Sequence, residues 1–296
     1  MAWRGLHITQ PARLRLRNRR IAVAQDDAEH AFPVEDVAWI VLDTQEATLT
    51  AGLISACMVA GIPILFSDAR HMPCGLALPF HQHFLQADVA HRQVMTAEPL
   101  RKRLWQRMVK VKIENQAGTL ERSQCQDAKI LREMSRHVKS GDPGNVEARA
   151  ARYYWPRLFQ DFRRGDDEDR RNALLNYGYA VLRAAIARGL TASGLLPAFG
   201  VHHRSQQNAF NLADDLIEPF RPAVDWRVFE FCQAQRRDET ELTRDDRQWM
   251  AGILSENVLL EGSQVSVLTA TERAASTLVG AITEGDAALL ALPVTW

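Results

Sequence analysis

The period of the apolar residues changes once along this chain, and that change limits the folds open to it. Residues 13–17 read RLRLR, a polar turn follows, and residues 21–24 read IAVA. Alternation around a short turn is typical of a β-hairpin. Beyond about residue 92 the apolar residues recur every three or four positions, as in amphipathic helices. We therefore predict an α+β, multidomain chain: a small β-rich, sandwich-like domain over residues 1–88, a linker over 89–98 and a larger all-α domain over 99–296.

Local signals refine this prediction. Thr48 or Thr50 can cap a short helix that ends at Gly61, and residues 34–42 and 63–66 read as strands. In the second half, the run NALLNYGYAVLRAAIAR carries almost no charge, so it predicts a central helix. Further helices are expected over residues 124–138 and from Arg244 to Leu260. The apolar tail from Leu289 onwards either docks or waits for a partner.

Composition excludes several classes of protein. The chain has 296 residues, 46% of them apolar and 24% charged, which is ordinary for a globular protein of two domains. It has no apolar run long enough for a membrane span or a signal peptide, so we expect a cytoplasmic protein without a membrane partner. The four cysteines are far apart and form no C-x-x-C pair, which argues against a zinc site or a disulfide framework.

The basic residues are mostly arginines. There are 31 arginines and five lysines, and the formal net charge is zero, which excludes a bulk polycation but not a local basic patch. Arginine suits phosphate recognition, although a codon bias would produce the same excess. After Pro99 an amphipathic helix places basic residues between its apolar positions. That face either contacts a phosphate backbone or is a solvated surface, and the candidates for DNA contact are Arg101, Arg103 and Lys110.

The sequence has two acidic segments of interest, one next to a pair of histidines and one among small residues. Between Gly200 and Pro222, Asp215 and Glu218 are three apart, which predicts one shared helix face just after the pair His202-His203. Carboxylates and an imidazole that converge can hold a divalent cation, although such acids also serve as partners for arginine. Upstream, Asn145 is a predicted helix cap.

Glu147 is a further acidic candidate. It lies in the first turn of the helix predicted after Asn145, among small alanines that would let another helix approach closely. Its carboxylate can therefore point inwards, or it is simply a first-turn acid.

Three motifs carry a resemblance to a known family. The chain resembles the CRISPR-associated spacer-acquisition integrase, the first-numbered Cas protein, most closely its short type II form. The motifs are Glu147–Trp155 (EARAARYYW), Asn172–Tyr179 (NALLNYGY) and Gly200–Pro222 (GVHHRSQQNAFNLADDLIEPFRP). The resemblance implies that the helical domain is catalytic. The β-rich half carries no constellation of chemical groups, so we assign it a structural or dimer-forming role.

The resemblance also implies a site. Carried over by motif, its metal ligands are Glu147, His203 and Glu218, and Asp215 is a supporting catalytic acid. Many relatives have Asp where this chain has Glu218, which is a longer arm. The side chains expected near the scissile phosphate are His202, Arg204 and Arg221, of which Arg221 can equally form a structural salt bridge.

The activity implied is metal-dependent DNA integration in CRISPR adaptation. The 3′-OH ends of a short foreign fragment would be joined to the CRISPR repeat by transesterification, with Mg²⁺ or Mn²⁺. The implied partners are double-stranded DNA (the captured fragment and the repeat), a second copy of this chain, a bridging dimer of the second-numbered Cas protein and other type II adaptation proteins. Two alternatives stay open: a metal-dependent endonuclease that uses water, and a non-enzymatic DNA-binding scaffold.

Overall fold

The protein divides into two compact units, Met1–Phe84 and Leu85–Trp296. The computed structural model describes residues 4–26, 28–79, 82–124, 128–234 and 241–295. The division falls four residues before the predicted domain end at residue 88. Most of the predicted linker is helical, because helix α2 (Gln86–Val94) opens the second unit. None of the helices within these ranges is long and apolar enough to cross a membrane.

The first unit contains two four-stranded sheets and one helix. The elements are β1 (Arg4–Ile8), β2 (Ala12–Arg17), β3 (Arg20–Gln25), β4 (Ala28–Pro33), β5 (Val37–Leu42), β6 (Ala47–Leu49), α1 (Ala51–Val59), β7 (Ile64–Ser67) and β8 (Pro73–Ala77). One sheet has the order β1-β5-β7-β8 and the other β4-β3-β2-β6. Buried side chains from both sheets and from α1 form one apolar core, which matches the predicted sandwich-like domain.

Local chemistry explains these elements. In the hairpin of β2 and β3, Leu14 and Ile21 are fully buried while the intervening arginines are exposed, as the alternation predicts. The Thr50 hydroxyl accepts a hydrogen bond from the Leu53 amide and caps α1. Gly61 follows that helix with a φ of +71°, which favours glycine.

The second unit is mainly helical. Besides α2, its helices are α3 (Glu98–Arg122), α4 (Ala128–Arg136), α5 (Val146–Leu158), α6 (Arg170–Ala192), α7 (Asn211–Leu216), α8 (Arg221–Ala234), α9 (Arg244–Ala251) and α10 (Val267–Glu284). Helix α6 has most of its residues buried, so the predicted central helix is confirmed. Helices α7, α8, α9 and α10 pack against α6, whereas α4 and α5 pack against α3.

A hairpin interrupts the predicted all-α domain. The helix expected from Arg244 to Leu260 is wrong beyond residue 251, because α9 ends there and the chain forms β9 (Asn257–Leu260) and β10 (Ser263–Ser266). The turn residues Glu261 and Gly262 both have positive φ, which is the geometry of a tight two-residue hairpin turn. Strand β9 alternates exposed and buried residues, a period-two pattern.

The C-terminal tail docks on the same unit. Val294 exchanges two backbone hydrogen bonds of 2.8 Å with Leu259. The Asn115 carboxamide oxygen accepts a hydrogen bond from the Thr295 amide at 3.1 Å, and Leu290 is fully buried. Of the two roles considered for the tail, docking is therefore the one observed for the described residues up to 295.

Candidate metal centre

Glu147 is placed by a cap on α5. The predicted cap, Asn145, is left-handed (φ 46°) and its side chain makes no capping hydrogen bond. Asp142 caps the helix instead, because its two carboxylate oxygens accept from the amides of Val146 at 2.9 Å and Glu147 at 3.0 Å. The helix therefore begins where the sequence predicts, with Asn145 at the N-cap position, but the side chain that accepts the capping hydrogen bonds is that of Asp142.

Glu218 lies just after α7, where the helix is broken. Helix α7 ends at Leu216, and a 3₁₀ turn begins at Glu218 because Pro219 follows it. Asp215 and Glu218 therefore do not share a face of one continuous α-helix. The Asn115 carboxamide on α3 donates to the Pro219 carbonyl at 2.7 Å, which holds this turn against α3.

Lys112 joins the two glutamates. Its ammonium lies 2.5 Å from Glu147 Oε1 and 2.5 Å from Glu218 Oε2. The side chains of Lys112 and Glu218 are only 9% and 7% exposed, whereas that of Glu147 is 28% exposed. The two acidic motifs thus converge, as predicted, but they meet across a buried cation.

Burial and charge oppose each other at this ion pair. Burial lowers the pKa of Lys112, but the charges of Glu218 and Glu147 outweigh it and the pKa is raised. Burial likewise raises the pKa of Glu218, but the charges of Arg221 and Lys112 prevail and hold that pKa at about 2. Both groups are therefore ionised at neutral pH.

Asp215 organises the turn that carries the histidines. Its carboxylate accepts hydrogen bonds from the amides of Val201 at 2.6 Å, His202 at 2.9 Å and His203 at 3.0 Å. It also lies 2.6 Å from His203 Nδ1, a contact that raises the pKa of His203. A Cβ on Gly200 would lie 2.4 Å from the His203 carbonyl oxygen and 2.7 Å from Asp215 Oδ2, so the turn and the carboxylate pack this closely because residue 200 is glycine.

Trp105 orders the histidine pair. The His202 ring stacks on the buried Trp105 ring at 4.0 Å with an interplanar angle of 2°, and His203 meets the same ring edge-on at 5.7 Å. Burial lowers the pKa of His202, although the charge of Asp215 opposes this. His202 is therefore a neutral stacking group at the rim of the site.

The Arg221 side chain forms a salt bridge with Glu218. Its Nε donates to Glu218 Oε1 at 2.8 Å, and its guanidinium lies 4.5 Å from the centre of the Tyr179 ring. The salt bridge that the sequence left as an alternative is therefore the contact observed. Behind it, Asp225 accepts hydrogen bonds from Tyr179 and Tyr154, and burial raises the pKa of Asp225 to about 6.

The predicted DNA-binding residues divide between two places. Arg103 and Lys110, together with Arg107, line a cleft of about 390 Å³ between α3 and residues 286–288. Arg101 and Arg204 lie elsewhere, near Glu98 in the first turn of α3. There Lys102 is the main cause of a lowered Glu98 pKa, and the charges of Arg204 and Arg101 add to it.

The donor set fits a hard divalent cation. Among the residues that the structure describes, no three His, Cys, Asp or Glu side chains form a ready-made ligand cluster. However, Glu218 Oε2 is buried against the Lys112 ammonium at 2.5 Å, and that ammonium already marks a cation position between two carboxylates. Asp215 engages Nδ1 of His203, which leaves Nε2 as a ligand atom, the usual arrangement of a carboxylate behind a ligating histidine.

Sequence reasoning missed Lys112, Asp142 and Trp105 as site residues. Lys112 belongs to the same helix as the basic candidates Arg101, Arg103 and Lys110, yet it lies four residues after Met108 and seven after Trp105, on the buried face. That spacing was the available signal, because positions i, i+4 and i+7 share one side of a helix.

The fold and the site define a class of protein with a β-rich unit followed by a helical unit, in which two glutamates meet across a buried lysine and a histidine pair is ordered by an aspartate and a tryptophan. The chain belongs to the family described as CRISPR associated protein Cas1, which it matches over residues 6–261. The CRISPR-associated endonuclease Cas1 of Neisseria meningitidis serogroup C (strain 8013) is 40% identical over 294 residues, 99% of this chain and 96% of that protein. The chain is a Cas1-family enzyme, and the resemblance drawn from the three motifs is confirmed.

Two solved structures share the fold. A casposase bound to integration product has a TM-score of 0.79 at 17% identity, over 96% of this chain and 92% of that one. A Cas6-RT-Cas1–Cas2 complex contains a chain with a TM-score of 0.75 at 18% identity, over 99% of this chain and 36% of the longer one. At these identities the likeness concerns the fold, which agrees with the predicted β-rich unit and helical unit.

Proposed function

We propose that this chain is the metal-dependent DNA integrase of CRISPR adaptation. It joins the 3′-OH ends of a short foreign DNA to the CRISPR repeat by transesterification. The observation that carries the proposal is the meeting of Glu147 and Glu218 across a cation position, beside a histidine that Asp215 orients. Family membership supports it, as does the shared fold of a casposase whose structure holds an integration product.

The residues have separate roles in this proposal. Glu147, Glu218 and His203 hold Mg²⁺ or Mn²⁺, because carboxylate oxygens suit both ions and an imidazole favours Mn²⁺. The bound ion would polarise the phosphoryl oxygen and stabilise the leaving oxygen. Asp215 fixes the ring of His203. Arg221 neutralises Glu218 rather than reaching the phosphate, which leaves His202 and Arg204 at the exposed rim as the groups for the phosphate.

The partners follow from the reaction and from the relatives. The substrates are the captured duplex and the repeat, and the cleft of Arg103, Arg107 and Lys110 is a second surface for a phosphate backbone. A Cas2 dimer bridges two dimers of this chain, in keeping with the Cas1–Cas2 complex that shares its fold. The β-rich unit forms the dimer, further type II adaptation proteins assist, and the reaction takes place in the cytoplasm.

An endonuclease that uses water is the second candidate function. It is favoured by the name of the Neisseria relative, an endonuclease. The same side chains would serve both reactions, since only the nucleophile differs.

A strand-transfer assay separates the candidates. The protein, with and without Cas2, is given a short duplex with free 3′-OH ends and a supercoiled plasmid that carries the repeat, in Mn²⁺ or Mg²⁺. Glu218→Ala is compared with Glu133→Ala, the same change at an exposed acid of α4. Joined products that disappear only in Glu218→Ala support integration. Cutting without joining identifies the endonuclease, and no metal-dependent reaction would leave a non-enzymatic scaffold.

A further inference from the structure

The buried position of Lys112 is unusual within this chain. All five lysines lie in described residues, and the other four are exposed or half-buried. An ammonium group is expensive to bury unless it is paired, because it loses its hydration. Lys112 is paired twice, with Glu147 and with Glu218, and both partners are proposed ligands of a divalent ion.

The contacts leave one oxygen of Glu218 for any cation. Oε1 already accepts from Arg221 Nε at 2.8 Å. Oε2 is buried and lies 2.5 Å from the Lys112 ammonium, which covers it. A divalent ion that binds Glu218 through Oε2 must therefore approach the oxygen that Lys112 covers.

An ammonium and a divalent ion cannot share this place. A hard divalent ion sits about 2.1 Å from its carboxylate oxygens, which puts it in the same gap as the nitrogen. At that separation the two like charges repel strongly in a site that excludes most water. Lysine can leave the gap because its charge is compact and its four-carbon stem is flexible, whereas the planar fork of arginine would stay locked on the carboxylates.

We propose that Lys112 is the resident counterion of the metal site: its ammonium occupies the cation position between Glu147 and Glu218 and is displaced when a divalent ion binds. The inference rests on the proposed function, since it assumes that these carboxylates are ligands. Lys112 keeps the metal-free protein stable by neutralising two facing acids. It also weakens metal binding, because the ion has to compete with a charge that is already present.

Metal affinity tests this role without an activity assay. The full chain and Lys112→Met, which has a similar length and no charge, are titrated with Mn²⁺, and free Mn²⁺ is followed by electron paramagnetic resonance. We expect the dissociation constant to fall about tenfold in Lys112→Met, the change that follows when the ammonium-bound state outnumbers the open state by about ten to one. Lys129→Met, the same change at an exposed position of α4, should leave the constant unchanged.

Thermal unfolding gives a second readout if the variant folds poorly. Lys112→Met should melt at a lower temperature than the wild type in EDTA, and Mn²⁺ should raise its melting temperature by more than it raises that of the wild type. Lys112→Arg should bind Mn²⁺ more weakly than the wild type. These shifts would support displacement of the counterion.

Other outcomes overturn the inference in distinguishable ways. Equal or weaker Mn²⁺ binding by Lys112→Met, with normal binding by the wild type, would reject the role of Lys112 and leave the metal site standing. A Lys112→Met protein that stays unfolded in Mn²⁺ would also reject it. Absence of Mn²⁺ binding by the wild type and by Lys112→Met alike would reject the metal site itself and the inference with it.

Discussion

Asp215 Oδ1 lies 2.6 Å from His203 Nδ1, and the same carboxylate accepts hydrogen bonds from the three backbone amides of the turn from Val201 to His203. All of its hydrogen-bonding capacity is directed at that turn, and its side chain is completely buried. These contacts fix the orientation of the His203 ring, and we propose that Asp215 acts by positioning this histidine rather than as a ligand.

Asp215→Asn should reduce both metal affinity and stability. Loss of a carboxylate behind a ligating histidine weakens metal binding about 10- to 100-fold. An amide group facing amide donors should also lower the free energy of unfolding by about 3 kcal/mol. Mn²⁺ titration and urea unfolding measure the two effects. The control is Asp214→Asn. In the wild type the partly exposed Asp214 carboxylate forms a salt bridge of 2.8 Å with Arg183. The control should lower the free energy of unfolding by about 1 kcal/mol and leave the Mn²⁺ affinity unchanged.

The ionisation of Asp225 should make stability fall as the pH rises. The pKa of Asp225 in the folded protein is about 6, above the ordinary value of 3.8. The stabilisation of the folded state that comes from this raised pKa is therefore complete below pH 3.8 and is lost as the pH rises through 6. Relative to the wild type, Asp225→Asn should gain about 3 kcal/mol in free energy of unfolding between these limits. Urea unfolding of both proteins across this range measures the gain, and a constant difference would contradict it.

Tyr179→Phe tests the cause of that effect. The Tyr179 hydroxyl donates to Asp225 and thereby lowers its pKa, in opposition to burial. Removing the hydroxyl should move the loss of stability to higher pH. The same urea series shows whether the midpoint moves upward, and an unchanged or lower midpoint would exclude this hydrogen bond as a determinant.

Glu218 should have the opposite pH dependence. Its folded pKa of about 2 lies below the ordinary 4.5, so its stabilising contribution is present above pH 4.5 and is lost as the pH falls through 2. The advantage of the wild type over Glu218→Gln should shrink by about 3 kcal/mol as the pH falls over this interval. Guanidinium unfolding at acidic pH measures it. If the difference in free energy of unfolding between the two proteins were the same at both pH limits, the ion pairs with Lys112 and Arg221 would not be the cause of the lowered Glu218 pKa.

The cleft on α3 should contribute to DNA binding through charge alone. Arg103→Ala and Lys110→Ala should each weaken duplex binding irrespective of sequence. Each should also reduce the slope of log affinity against log salt by about 1, because each removes one phosphate contact. Fluorescence anisotropy at several salt concentrations provides the slopes. Lys129→Ala, at an exposed position of α4, should keep the wild-type slope, and an equal loss in that control would reject a local surface.

The sequence alone determined the elements that depend on near neighbours. The alternation around Leu14 and Ile21, the cap at Thr50 and the apolar run of α6 are decided within a few residues, and all three are present in the structure. The motifs around Glu147, His203 and Glu218 likewise identified the family, because each is contiguous in the sequence and the one from Gly200 to Pro222 is long enough to be specific. The helix predicted as far as Leu260 was wrong where one short-range signal competed with another, in the hairpin after α9. Helix α5 begins after Asn145 as predicted, but Asp142 supplies its capping hydrogen bonds.

Only the tertiary structure decided what surrounds the acids. Lys112 and Glu147 are 35 positions apart, and the contact that joins Asn115 to Pro219 spans 104 positions. A helical period shows which residues point inwards, but it does not show which charges they meet there. The buried cation between two carboxylates exists because three helical segments converge, and burial then makes the pairing of those charges obligatory.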